Sequence, residues 1–309
     1  MNADDDLNQY LASRRSEVDT FLFDSFLTLP SCPAPLADAM RYSVAAGGKR
    51  LRPILCLASA EAVGGDRRDA LPAACALEFI HTYSLIHDDL PAMDNDILRR
   101  GRPTLHVVAG EGMAILAGDG LLTDAFALMA REPRGNDPAL VARKLRVISI
   151  VAAGAGSSGM VGGQAIDLAC VTPTPDGILM APLDAEGLRG MHARKTGALI
   201  RASATAGAVM GGATDPQIEG IDRAAAEFGL AFQIIDDVLD VAGASADLGK
   251  TAGKDAAAGK PTYPALYGLE ASRRMAGECL ERASATLRAV NLADSRLPQI
   301  GRWIVERAN

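Results

Sequence analysis

The sequence predicts an all-α chain, on three observations. Apolar residues recur at three- and four-residue spacing through most of its 309 residues, while strict alternation is rare. Aromatic residues make up only 4%, and alanine and glycine are abundant, which favours close-packed helices over β-sandwich strands. Breaker segments rich in proline and glycine fall between the periodic stretches.

The helical stretches follow in order at residues 7–26, 36–46, 53–62, 71–86, 113–131, 138–153, 183–213, 218–241, 262–290 and 297–307. Proline- and glycine-bearing segments at 30–35, 64–65, 100–103, 133–138, 173–177 and 243–259 separate many of them. An uncharged run at 147–166 holds eight glycines and serines that a membrane span would replace with larger apolar residues. It reads as a buried helix with a small-residue face. No linker or composition shift divides the chain. One domain over 1–309, of ten or more helices with central ones buried on most sides, is expected.

Charge and cysteine usage narrow the function. Thirty-one lysines and arginines against thirty-eight aspartates and glutamates give a net charge of −7, which argues against a general nucleic-acid binder. Five scattered cysteines without a C-x-x-C speak against a disulfide framework or a zinc site. The first ten residues, MNADDDLNQY, are acidic and lack an apolar run. They predict no signal peptide and a cytoplasmic location, with no stable membrane insertion.

The chemistry concentrates in two acidic clusters. In HTYSLIHDDLPAMDNDILRRG, Asp88, Asp89 and Asp94 form D-D-x-x-x-x-D, followed by Arg99 and Arg100. In AFQIIDDVLD, Asp236, Asp237 and Asp240 form D-D-x-x-D. Residues four apart share a helix face, so Asp236 and Asp240 can approach one cation together. Carboxylates flanked by Leu85-Ile86, Ile234-Ile235 and Val238-Leu239 must be paired or metal-bound, because an isolated buried charge is costly. Mg²⁺ prefers such hard oxygen donors and is commonly bound through one or two carboxylates plus substrate phosphates. His87, beside the aspartates, reads as a hydrogen-bonded structural histidine, since Mg²⁺ favours oxygen over imidazole.

Basic residues supply the complement. GGKRLRP places Lys49 and Arg52 three apart, after glycines that permit close backbone approach. Lys195-Thr196-Gly197 and the series Lys250, Lys254 and Lys260 add further cations. Acids suited to metals and bases suited to phosphates imply two phosphorylated ligands, at least one chelating Mg²⁺. No P-loop signature is present, so a nucleotide-triphosphatase is not supported.

These stretches, with MVGGQAIDL, HARKTGALI and LGKTAGKDAAAGKPTYPAL in this order, resemble the trans-isoprenyl diphosphate synthases, the polyprenyl synthetases, and in particular their bacterial farnesyl diphosphate synthase type. The resemblance implies an isoprenoid-synthase-type helical barrel around a deep central cavity, in a homodimer, with the two aspartate motifs facing each other across its mouth. It implies three Mg²⁺ ions, with Mn²⁺ as a substitute, held by Asp88, Asp94 and Asp236, while Asp89, Asp237 and Asp240 complete the motifs. It assigns Arg99, Lys195, Lys250 and Lys260 to an allylic diphosphate, and Lys49, Arg52, His81 and Arg100 to isopentenyl diphosphate. Thr196 and Gln233 fall beside the nascent carbocation. Ile97 stands where close relatives often have aspartate, and Val107 where many have lysine.

The implied reaction is head-to-tail condensation of isopentenyl diphosphate with dimethylallyl or geranyl diphosphate. Tyr83, with Ser84 beside it, lies five residues before Asp88, about 7.5 Å deeper along a helix. An aromatic side chain there is the resemblance's mark of a C15 product, so farnesyl diphosphate is the expected main product and geranylgeranyl diphosphate the alternative. A terpene cyclase and a non-catalytic partner subunit are more remote. Cyclases carry a different second motif, and such subunits tend to lose an aspartate cluster.

Overall fold

The computed structural model describes residues 3–27, 31–172, 176–177, 183–242 and 262–306. Among them are fourteen α-helices, one five-residue π-helical segment and a two-residue hairpin. The all-α expectation therefore holds. The residues group into two compact units, the first made of 1–148 with 206–213, the second of 149–205 with 214–309.

The first unit runs through α1 (Ala3–Leu27), α2 (Ala34–Val44), α3 (Leu51–Ala62), α4 (Arg67–Asp88), α5 (Leu105–Ala109) and α6 (Glu111–Arg131). Helix α7 (Pro138–Ala155) begins in it. Asp66 caps α4 by accepting from the Arg68 amide at 2.9 Å, satisfying one orphan donor of the first turn. From Ala73 to Ile80 every residue of α4 is buried, so this helix is enclosed on all sides. That run includes one acid, Glu78, and its partner Arg50 is equally buried. Helix α3 also meets the end of α10 (Ala198–Met210) backbone to backbone. A Cβ on Gly207 would sit 1.9 Å from the Cys56 carbonyl oxygen, so only glycine fits there.

The second unit contains α8 (Met160–Val171), α9 (Ala185–His192), the π segment (Ala193–Gly197), the first part of α10, α11 (Asp215–Ala242), α12 (Tyr263–Tyr267), α13 (Leu269–Ala289) and α14 (Arg296–Glu306). Helix α11 is its backbone, packed chiefly along α13. Ile234 and Ile235 of α11 share a core with Leu188, Met191, Tyr263 and Ala276.

Three expected helices are broken. The uncharged 147–166 run is two helices, because the chain turns at 156–159, and a Cβ on Gly159 would lie 2.2 Å from the Gly154 carbonyl oxygen. The 183–213 stretch is divided by the π segment, whose wider turn shifts the helical register. The 262–290 stretch breaks at Gly268, whose φ of 80° lies in the region that favours glycine. The hairpin (Leu98–Arg99 with Arg102–Pro103) and α5 are too short to leave a periodic signal. Glu111–Arg131 and Pro138–Val171 are long and apolar enough to cross a membrane by length and composition, although the second is interrupted by the turn at 156–159.

Candidate active site

The first acidic cluster lies in the first unit, at the C-terminus of α4. Only Asp88 is helical. Asp89 is the C-cap, and its amide donates to the Leu85 carbonyl at 3.1 Å. The loop then folds back, so that the Asp94 amide donates to the Asp88 carbonyl at 2.9 Å. Asn95, at φ 51°, closes the turn by donating to the Leu90 carbonyl. The cluster is therefore a helix end plus a returning loop, rather than a helical face. A helix C-terminus carries partial negative charge, so carboxylates gathered there raise the local demand for a cation.

The aspartates divide their duties. Asp89 is 4% exposed and is gripped by Arg99, with Nε at 2.8 and 2.9 Å from its two oxygens and Nη2 at 2.5 Å from Oδ1. Asp88 is half-buried and Asp94 exposed. His87 turns away to the Ile115 carbonyl, 3.1 Å from Nε2, in the space left by Gly118, where a Cβ would lie 2.1 Å from the ring. It is the structural histidine expected. Tyr83 is buried, and its ring meets His87 edge-on at 5.7 Å. Burial and the Asp88 charge raise its pKa. Ser84 donates to the His81 carbonyl of its own helix at 2.9 Å.

Cations converge beside this cluster. Arg100 and Gly101, both at positive φ, form the tip of the hairpin, as a type I′ turn requires. From there the Arg100 guanidinium donates to the Gly47 carbonyl and lies over Gly48, where a Cβ would meet Nη1 at 2.7 Å. The GGKRLRP loop is clamped by Arg50, which pairs with Glu78 at 2.6 Å and Asp19 at 2.8 Å and donates to the Val44 carbonyl. Lys49 is exposed and Arg52 half-buried on either side of it. Burial first, then Arg52, Arg100, Arg99 and Arg50, hold the His81 pKa well below its usual value, so the ring is neutral. A neutral histidine among arginines is a setting that attracts an anion. Arg50 was not singled out from sequence. The signal was Glu78, an acid inside an apolar run that demanded a partner.

The second cluster lies in the second unit, on α11. Asp236 and Asp240 are half-buried, one turn apart. Asp237 is buried and committed to the protein, accepting from Gln233 Nε2 at 2.9 Å and from the Tyr263 amide at 3.0 Å. Gln233 Oε1 in turn accepts from the Thr196 hydroxyl at 3.0 Å. Thr196 thus reaches Asp237 through one amide. Lys195, next to it in the π segment, binds Asp167 of α8 at 2.5 Å. Gly163 makes that approach possible, since a Cβ on it would stand 2.2 Å from the Lys195 amide nitrogen. Gly163 belongs to the small-residue face expected of the 147–166 run, whereas Asp167, also in MVGGQAIDL, was not singled out from sequence. An aspartate in that apolar stretch was the available signal. Lys250 and Lys260, with Lys254, lie outside the described residues.

Each cluster by itself has donors that suit magnesium: Asp88 and Asp94 in the first unit, and Asp236 and Asp240 in the second, offer hard carboxylate oxygens, and His87 turns away from the first pair. Among the described residues no three acidic, histidine or cysteine side chains converge into a metal cage.

Residues 33–293 match the polyprenyl synthetase family model. The chain is 47% identical over 286 residues to a chloroplastic geranylfarnesyl diphosphate synthase of Leucosceptrum canum, covering 93% of this chain and 76% of that one. It is 47% identical to the chloroplastic large subunit 1 of a heterodimeric geranylgeranyl pyrophosphate synthase of Arabidopsis thaliana, over 88% of this chain and 71% of that one. Among solved structures, an FPP/GFPP synthase of Zymomonas mobilis superposes with a TM-score of 0.83 at 37% identity, over 97% of this chain and 99% of that one. The expected cytoplasmic location is overturned by the names of the Leucosceptrum and Arabidopsis relatives, which are chloroplastic.

Proposed function

The chain belongs to the polyprenyl synthetase family, a magnesium-dependent family of prenyl diphosphate synthases, and we propose that it joins isopentenyl diphosphate head-to-tail to an allylic diphosphate. The observation that carries this reading is the division within each aspartate pair. Asp89 and Asp237 are buried in protein contacts, while Asp88, Asp94, Asp236 and Asp240 stay less enclosed and oxygen-rich.

In this reading Asp88, Asp94 and Asp236 hold three Mg²⁺ ions, with Mn²⁺ as a substitute. Bound Mg²⁺ neutralises charge on the allylic diphosphate and so improves it as a leaving group. Lys195 takes one of its oxygens, with Lys250 and Lys260 assigned alongside; Arg99, expected in the same role, is instead committed to buried Asp89. Lys49, Arg52 and Arg100 hold isopentenyl diphosphate beside neutral His81. The carbon–oxygen bond of the allylic substrate breaks, giving diphosphate and an allylic cation. Thr196 and Gln233 direct dipoles at that cation. The isopentenyl alkene attacks it to form the new carbon–carbon bond, and the adduct loses a proton to the departing diphosphate. Apolar walls keep water from the cation.

On product length the relatives favour the alternative over the first expectation. Their names are geranylgeranyl and geranylfarnesyl synthases, so geranylgeranyl diphosphate is now the better supported product. Farnesyl diphosphate is the second reading, favoured by buried Tyr83 five residues before Asp88. The whole chain acts as one enzyme domain in a plastid setting. We place the homodimer contact on α5 and α6, where Val107, Val108, Ile115 and Leu116 are exposed, although the Arabidopsis relative is named as a subunit of a heterodimer.

Diphosphate release tests the reaction. With Mg²⁺, release should require geranyl and isopentenyl diphosphates together. Release from geranyl diphosphate alone would mark a cyclase, and no release from the pair would end the proposal.

A further inference from the structure

Lys195 is held at both ends by one helix. Its main chain packs on Gly163 of α8, where any Cβ would stand 2.2 Å from the lysine nitrogen. Its ammonium meets Asp167, one turn further along α8, at 2.5 Å. The Asp167 side chain is 8% exposed and that of Lys195 27%. The carboxylate is therefore enclosed while part of the lysine reaches solvent. An ammonium has three donors, so a carboxylate on one side leaves others for an incoming oxyanion. Lysine is otherwise a flexible four-carbon stem, and fixing it beforehand removes an ordering cost that binding would have to meet. The next residue, Thr196, is tied to Gln233, so Lys195 and Thr196 are both set in place before any ligand arrives.

We propose that Asp167 is a positioning residue, which holds the Lys195 ammonium where the allylic diphosphate binds and so sets affinity for that substrate alone. The proposal rests on the reading that Lys195 binds this diphosphate. Two effects of opposite sign compete. The Asp167 charge repels an anion, while its grip orders the lysine. The short contact and the enclosure of the carboxylate favour the grip, because the lysine cannot be so placed by solvent.

The experiment is a double-mutant cycle on Asp167→Ala and Lys195→Ala, reading the KM of geranyl diphosphate, the KM of isopentenyl diphosphate, and Tm. Asp167→Ala should raise the geranyl diphosphate KM about tenfold and leave the isopentenyl KM within about twofold. In the Lys195→Ala background the same change should add nothing. If Asp167→Ala does not fold, Asp167→Asn serves, with a smaller rise of about threefold, because it keeps an acceptor without the charge. An unchanged or lowered geranyl diphosphate KM, or equal effects on both substrates, overturns the positioning role. So does full additivity with Lys195→Ala. A Lys195→Ala variant with normal geranyl diphosphate KM removes the reading of Lys195 itself, and is seen separately from any failure at Asp167.

Discussion

Arg99 grips the buried carboxylate of Asp89 through Nε and Nη2, ten residues away along the chain, and ties the hairpin to the end of α4. A carboxylate so enclosed serves the protein, and its neighbour Asp88 is the one left beside the returning Asp94.

The first prediction contrasts these aspartates. Asp89→Asn should destabilise the fold by about 3 kcal/mol, because it removes the nearer anionic partner of Arg99 in a largely buried setting and leaves it only Asp96 at 3.9 Å. Asp94→Asn, at an exposed position, should barely move Tm yet lose most turnover. Thermal denaturation with parallel rate assays checks both. Similar Tm losses in the two variants would contradict the division of duties.

The second concerns the metal ligands. Asp88→Ala and Asp236→Ala should each lower turnover by roughly 10²–10³-fold or more with the fold retained, as for loss of a strong transition-state stabiliser. EDTA should silence the unaltered enzyme, and Mg²⁺ should restore it. Near-normal turnover in both variants would sink the mechanism.

The third concerns the second diphosphate. Lys49→Ala and Arg52→Ala should raise the KM of isopentenyl diphosphate by about tenfold or more per charge-assisted contact, and that of the allylic substrate far less. Equal changes for the two substrates would show the sites to be wrongly assigned.

How far these roles were legible in the sequence differs from residue to residue. The helices were readable because packing imposes a 3.6-residue period on apolar side chains. The breaks at 156–159, at the π segment and at Gly268 were not, since each is a local backbone event that leaves the apolar pattern running on either side. The acidic clusters were readable because carboxylates in apolar flanks need partners. Which aspartate of each pair turns to the protein was not, since Arg99 and the Tyr263 amide meet Asp89 and Asp237 only through tertiary structure. Arg50 and Asp167 escaped for the same reason, although the acid in each pair stood out in an apolar run.

The fourth prediction concerns pH. Burial, with Lys195 adding to it and Asp167 opposing it, pushes the His192 pKa down from 6.5 to about 4. The folded state then binds fewer protons than the unfolded one between those values. Stability from this group is fully present above pH 6.5 and is lost as pH falls toward 4, amounting to about 3 kcal/mol. His192→Gln should flatten that part of the stability profile in chemical denaturation. An unchanged slope would place the acid sensitivity elsewhere.

The central claim is head-to-tail elongation of an allylic diphosphate by isopentenyl diphosphate, and product analysis by mass spectrometry tests it most directly. The enzyme is supplied with Mg²⁺, isopentenyl diphosphate and each allylic primer, with and without Tyr83→Ala. A farnesyl product from the unaltered enzyme, lengthened by at least one isoprene unit in Tyr83→Ala, would select the second reading. The predicted result is geranylgeranyl diphosphate from the unaltered enzyme, and no elongated diphosphate from any primer would contradict the claim.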